Sequence, residues 1–233
     1  NGGAIYFNKF ATMNNNYFTE NEAKHYGGAL YLVQSNTIEK SYFTSNKAQV
    51  GGAFYISADG TVKNSEFKNN TANYGAAFFL GYDSSILIED TDDNIASSDS
   101  DSFHAVHATK KYEKSILGDD EATVEPVPEP SGTVEKCIFI ENTAKKLGTV
   151  YFNMRSKVYD SYFTNNSASE KGGAIYFIAD GNIENSEFKN NSARNGGAVY
   201  FDQSSWYVEV NKCIFTLNRA VNGGAIYTNA KTN

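Results

Sequence analysis

The chain has 233 residues, a formal net charge of −7, 40% hydrophobic residues, 16 tyrosines, 16 phenylalanines and only 3 prolines. This composition supports a buried core and excludes collagen-like and disordered chains; the acidic balance argues against nucleic acid or anionic lipid as a partner, and no apolar run approaches the roughly 18 residues that span a bilayer. Two cysteines are too few for a disulfide framework, and a chain that opens mid-repeat on "NGGAIYF" reads as an excerpt of a longer protein, with any targeting segment or anchor outside it.

From the N-terminus, a Gly-Gly-Ala-aliphatic-aromatic run opens at Gly2, followed by Met13 and by Phe18-x-x-Asn21-x-Ala23. The pair of motifs returns at Gly27 with Ile38, Phe43, Asn46 and Ala48, and at Gly51 with Val62, Phe67, Asn70 and Ala72. A worn "GAAFF" at Gly75 leads into a degraded copy, with Ile86, Thr91 in the phenylalanine position, Asn94, Ala96 and then "FHAVHA" from Phe103. The interval from Phe103 to "LGTVYF" at Leu147 is 44 residues and holds Val134, Phe139, Asn142 and Ala144. Regular copies resume with Val158, Phe163, Asn166, Ala168 and Gly172; with Ile183, Phe188, Asn191, Ala193 and Gly196; and with Val210, Phe215, Asn218, Ala220 and Gly223. A fixed period of this size marks a solenoid.

Short β-branched and aromatic runs punctuated by Gly, Asn, Ser and Asp, with no sustained 3.6-residue stripe, predict strands rather than helices. About 24 residues and three short strands per turn predict an all-β parallel β-helix of about eight turns, a single domain over 1–233 with an irregular turn and inserted loop at 97–131. The Phe and Val/Ile columns should face inward. The asparagines should form an internal amide ladder of Asn21, Asn46, Asn70, Asn94, Asn142, Asn166, Asn191 and Asn218. Two residues before each Phe lies a small column in which Cys137 and Cys213 replace serine. They stand three turns apart, roughly 14 Å, too far for a disulfide, and read as buried small residues. A tyrosine column (Tyr6, Tyr31, Tyr55, Tyr151, Tyr176, Tyr200, Tyr227) is expected to point outward, as a stabilising ring ladder or as a strip for sugars.

The alternating GGA[I/L/V/F] and FxxN tetrapeptides resemble the polymorphic membrane protein repeats of chlamydial autotransported adhesins. In texture they are more similar still to adhesin-like surface proteins of gut methanogens. The resemblance implies a right-handed parallel β-helix that projects from a cell envelope and contacts another cell, and it carries no catalytic residues.

Individuality should lie where the repeat fails. About 20 extra residues fall near 110–131, with all three prolines, and "PVPEP" suggests a stiff extended arm. Here and nearby, His104, His107, Lys110, Lys111 and Tyr112 are candidate binding residues. Residues 89–102 hold six acids; they are a candidate Ca²⁺ chelator, but lack EF-hand order and read better as a solvated acidic face. His104 and His107 would point to opposite faces of a strand and not share a metal. Asp90 and Asp92 belong to the one place where acids should stack, beside Glu66, and so mark the only cleft for a carbohydrate-active enzyme. Trp206 is an exposed-aromatic candidate. Sequons at Asn69, Asn165 and Asn190 follow from the repeat itself.

The resulting expectation is an extracellular, cell-surface-anchored adhesin segment. It needs no catalytic residue and no cofactor beyond a candidate Ca²⁺, and its partner is a surface protein or glycan of another cell. A polysaccharide lyase or glycosidase and a passive stalk are the rivals. Open β-ends should also join end to end.

Overall fold

The computed structural model describes residues 1–81, 131–205 and 207–229. The chain divides into one unit of Asn1–Asp83 with Pro130–Asn233 and another of Ser84–Glu129, and the second lies outside the described residues. Among the described residues there is no helix, and every strand pairing is parallel. Three stacked sheets form the walls of a β-solenoid. Within one turn, Phe54–Ile56 belongs to sheet A, Gly60–Lys63 to sheet B and Glu66–Lys68 to sheet C. Sheet A has eight strands, sheets B and C seven each, and a short fourth sheet joins Thr71–Tyr74, Thr143–Leu147 and Ser167–Ala168.

Single-residue bends in the left-handed region separate the walls. Between sheets B and C they fall at Asn15, Lys40, Asn64, Lys136, Asp160, Asn185 and Lys212; after sheet C they fall at Glu20, Ser45, Asn69, Glu141, Asn165, Asn190 and Leu217. Asparagine tolerates this conformation better than other side-chain-bearing residues, so the chain is asparagine-rich beyond its ladder. The second glycine of each pair answers a different need. A Cβ on Gly28 would lie 2.0 Å from the carbonyl oxygen of Gly52 one turn on, and one on Gly173 2.2 Å from that of Gly197.

Stacking like upon like fills the interior. Phe18, Phe43, Phe67, Phe139, Phe163, Phe188 and Phe215 form one file with ring centroids 4.4–5.0 Å apart. Beside it runs the amide ladder. The Oδ1 of Asn142 accepts from both the backbone N–H and the Nδ2 of Asn70, while its own Nδ2 donates to Asn166 Oδ1 and to the Phe67 carbonyl. The same bonds recur from Asn21 through Asn218. Each buried amide of the ladder is thereby satisfied, which removes the penalty of about 1–3 kcal/mol for an orphaned polar group. Cys137 is fully buried in the serine column, its thiol donating to the Glu135 carbonyl at 3.2 Å, and burial pushes that thiol up to about 12. Cys213 is half-buried, and both thiols are free.

The stack holds about seven turns, not about eight. Gly60–Lys63 pairs directly with Ser131–Glu135, Glu66–Lys68 with Ile138–Ile140, and Phe78–Leu80 with Val150–Phe152. Asn70 likewise bonds directly to Asn142, and the degraded copy built on Ile86, Thr91, Asn94 and Phe103, with the expected ladder rung Asn94, lies outside the described residues. In sequence, that copy has Thr91 in the phenylalanine position and His104 in that of the second glycine. The copy expected to open at Leu147 also starts one residue later: Leu147 pairs with Tyr74 and Lys171, and Gly148 has the positive φ, 45°, of a first glycine.

Candidate functional site

The tyrosine column after Gly-Gly-Ala stacks ring on ring as a ladder, one of its two expected roles, but away from the ends, where Tyr6 is 45% exposed, it is covered rather than open. Tyr31, Tyr55, Tyr151, Tyr176 and Tyr200 are each at most 7% exposed, and Tyr151 lies 4.4 Å from Phe79 in a near-parallel stack. Their cover comes from the residue just before each glycine pair. Tyr26 sits edge-on to Tyr31 and Tyr55, Val50 is buried at the same place, and Lys171 Nζ lies 4.8 Å above the Tyr200 ring. The Tyr176 hydroxyl donates to Asp202 at 2.7 Å. These rings form a second, smaller core outside sheet A and offer no strip to a ligand.

The exposed aromatic file lies on the outer face of sheet C, in the column just before each phenylalanine. Tyr17 is 72% exposed, Tyr162 53% and Ile214 59%, with Tyr42 and Ile138 also exposed. Glu66 and Glu187 occupy the same column. Tyr17 and Tyr42 stack face to face at 4.8 Å, so they present ring edges and hydroxyls outward rather than the flat faces on which a sugar would stack. The sequence placed this column outward; its Tyr/Ile alternation with glutamate was the signal, and a search for acids alone passes over it.

Sheet B carries the strongest electrostatic feature among the described residues. The Glu135 carboxylate accepts from Lys136 Nζ at 2.8 Å and from the Tyr159 hydroxyl at 3.0 Å, and pairs with Lys63 Nζ at 3.0 Å. Lys136 first, then Lys63 and Tyr159, hold its carboxyl at about 2, and both lysines are raised in return by the same hydrogen bonds. A carboxylate so held is ionised at every physiological pH and cannot serve as a general acid. The stacked acid pair expected at Glu66 and Asp90 is absent from the ladder, because the neighbours of Glu66 are Tyr42 and Ile138. A shallow groove at the bend between sheets B and C, lined among others by Lys136, Asp160, Tyr162, Glu187, Lys212 and Ile214, sets two carboxylates, Asp160 and Glu187, beside two lysines. Among the described residues, no group of three or more His, Cys, Asp and Glu could hold a metal.

The remaining sequence candidates (Asp90, Asp92, His104, His107, Lys110, Lys111, Tyr112 and Trp206) and the acidic stretch 89–102 lie outside the described residues. Their point of departure is described. In regular turns three corner residues join sheet A to sheet B: Ser57, Ala58 and Asp59 between Ile56 and Gly60, and Ile178, Ala179 and Asp180 between Phe177 and Gly181. At the equivalent corner, Gly81 N–H donates to the Ile56 carbonyl as Ser57 N–H does to Leu32, and Ser131 N–H donates to Asp59 Oδ1. Both lips of the excursion thus keep the register of an ordinary corner.

Residues 160–178, 185–202 and 212–229, in the last three turns, match the family described as the Chlamydia polymorphic membrane protein repeat. The chain carries polymorphic-membrane-protein-like repeats on a parallel β-solenoid. No curated protein and no solved structure matches it.

Proposed function

We propose that this chain is a segment of a cell-surface adhesin, a β-solenoid displaying a binding surface for a protein or glycan of another cell, outside the cell and anchored through sequence beyond this stretch. The observation that carries the reading is the corner between Leu80 and Gly132. Excising 82–129 would leave Gly81, Pro130 and Ser131, the three residues an ordinary corner uses. The scaffold is complete without the segment richest in irregular, charged and aromatic candidates, which is how a display scaffold divides its labour. The repeats of polymorphic-membrane-protein type support the same reading. The Glu66–Asp90 acid stack on which the carbohydrate-cleaving alternative rested is not among the described pairings, where Glu66 lies beside Tyr42 and Ile138.

The test is that excision. The shortened chain should keep its β-rich circular dichroism and unfold at nearly the same urea concentration, while binding to intact epithelial cells and to a glycan array falls to background. Unchanged binding would make the chain a stalk, and turnover of uronic-acid polymers by the full chain would make it an enzyme.

A further inference from the structure

The outer face of sheet C has a symmetry that the display reading does not use. Each strand presents two side chains outward, one on either side of its buried phenylalanine. Two rungs are charged, Glu66/Lys68 and Glu187/Lys189, and in both the acid stands in the leading column and the base in the trailing one. Between them lie the Ile138/Ile140 and Tyr162/Thr164 rungs. The remaining rungs pair Tyr or Ile with Thr. Within the described residues none of the four charged side chains takes part in an ion pair. A face of Tyr, Ile and Thr side chains carrying charges of both signs that pair with nothing among the described residues is a surface that wants a partner with the same spacing.

We propose that this face is a self-recognition surface, pairing two copies of the chain side by side with their stacks running the same way. A two-fold axis parallel to the stack keeps every rung level and exchanges the columns. Glu66 then faces Lys68 of the second copy and Lys68 faces its Glu66; Glu187 and Lys189 do the same, and Ile138 meets Ile140. Four ion pairs close around an apolar centre. Turning the second copy end for end brings Glu66 opposite Tyr162 and Glu187 opposite Tyr42, leaving carboxylates unpaired against phenol rings. Only the parallel arrangement is self-complementary. The face is about 29 Å along the stack and roughly 15 Å across, about 430 Å² per copy, well under the 800 Å² or so of a stable interface, so the pair is weak and forms at high local concentration. Self-pairing does not depend on the display reading; joined to it, parallel pairing clusters copies on one surface rather than bridging two.

Sedimentation velocity from about 10 μM to 1 mM reads the pairing. The chain should show a reversible monomer–dimer equilibrium. The Glu66→Lys/Glu187→Lys variant and the Lys68→Glu/Lys189→Glu variant should each dimerise at least about ten-fold more weakly, with unchanged circular dichroism. Mixed, they should form a heterodimer at least as tight as the parent. With Cys213→Ser present, a short bis-maleimide should cross-link an Ile138→Cys chain to an Ile140→Cys chain, and neither to itself. A strict monomer at 1 mM, a mixture that fails to associate, association indifferent to the charge changes (as end-to-end joining would be), or efficient Ile138→Cys self-cross-linking would each overturn the proposal.

Discussion

Two outward columns of the solenoid carry tyrosines, one at nearly every turn and the other at Tyr17, Tyr42 and Tyr162. One follows each Gly-Gly-Ala run and the other precedes each core phenylalanine; both alternate with inward residues on a strand, and both contain stacked rings, Tyr31 on Tyr55 in the first and Tyr17 on Tyr42 in the second. Yet Tyr151 is 1% exposed and Tyr162 53%. The difference is made neither by the tyrosines nor by their strands. Outside sheet A the chain doubles back through the segment before the glycine pair, so Tyr26, Val50 and Lys171 roof the first file. Outside sheet C no such segment passes among the described residues. Facing outward from a sheet is a local property that period 2 dictates, whereas being exposed depends on where the rest of the turn travels.

The largest expected effect tests that contrast directly. Tyr151→Ala removes a buried ring from a stack and should destabilise by about 3–5 kcal/mol, as core aromatic truncations do. Tyr162→Ala, the same change on the open file, should cost less than about 1 kcal/mol. Urea midpoints of the two variants against the parent decide it. Equal losses would mean that the sheet C file is covered as well.

Much of the fold could be read from the columns because a solenoid converts period into contact: a residue's neighbour is its own counterpart one turn away. The phenylalanine file, the amide ladder and the serine column with Cys137 follow from alignment alone. What could not be read were events between columns. That Lys171 leans over Tyr200 depends on the path of the turn before the glycines, which no period encodes. That Ile138 rather than Asp90 lies beside Glu66 depends on whether a degraded copy can still fill a floor. Sequence spacing favoured an extra turn there. The described ladders run from Glu66–Lys68 straight to Ile138–Ile140 without one. The match to the polymorphic membrane protein repeat falls at 160–178, 185–202 and 212–229, where the columns are cleanest.

An outward side chain can still matter when it ties turns together, and Glu135 sharpens the comparison. It stands on the outer face of sheet B yet joins Lys63 on one neighbouring turn to Tyr159 on the other. Its carboxyl is lowered from the ordinary 4.5 to about 2. A depressed carboxyl adds stability that is complete above the unfolded value and fades as pH falls through the folded one. The parent should therefore melt higher than Glu135→Gln by a constant margin above about pH 4.5, and the margin should close as the pH approaches 2. Thermal melts of both proteins across that range measure it; a gap that persisted unchanged at the acid end would assign the loss to packing instead.

The smallest effect has the opposite sign and comes from the bend that follows the last strand of the open file. Leu217 ends the sheet C strand Ile214–Thr216 and holds a φ of 57°, in the column where Asn165 and Asn190 occupy the same bend on the two preceding turns. Its side chain is 64% exposed, so little packing offsets the left-handed backbone. Asparagine relieves most of that strain, and Leu217→Asn should stabilise by roughly 0.5–1 kcal/mol, whereas Leu217→Ala, which removes the same apolar atoms without easing φ, should not. Asn190 Nδ2 already donates to Asn165 Oδ1 at 2.7 Å, so the new amide would also extend an outer ladder by one rung. A higher urea midpoint for Leu217→Asn than for Leu217→Ala is the expected result. Equal midpoints would show that the bend is indifferent to what occupies it.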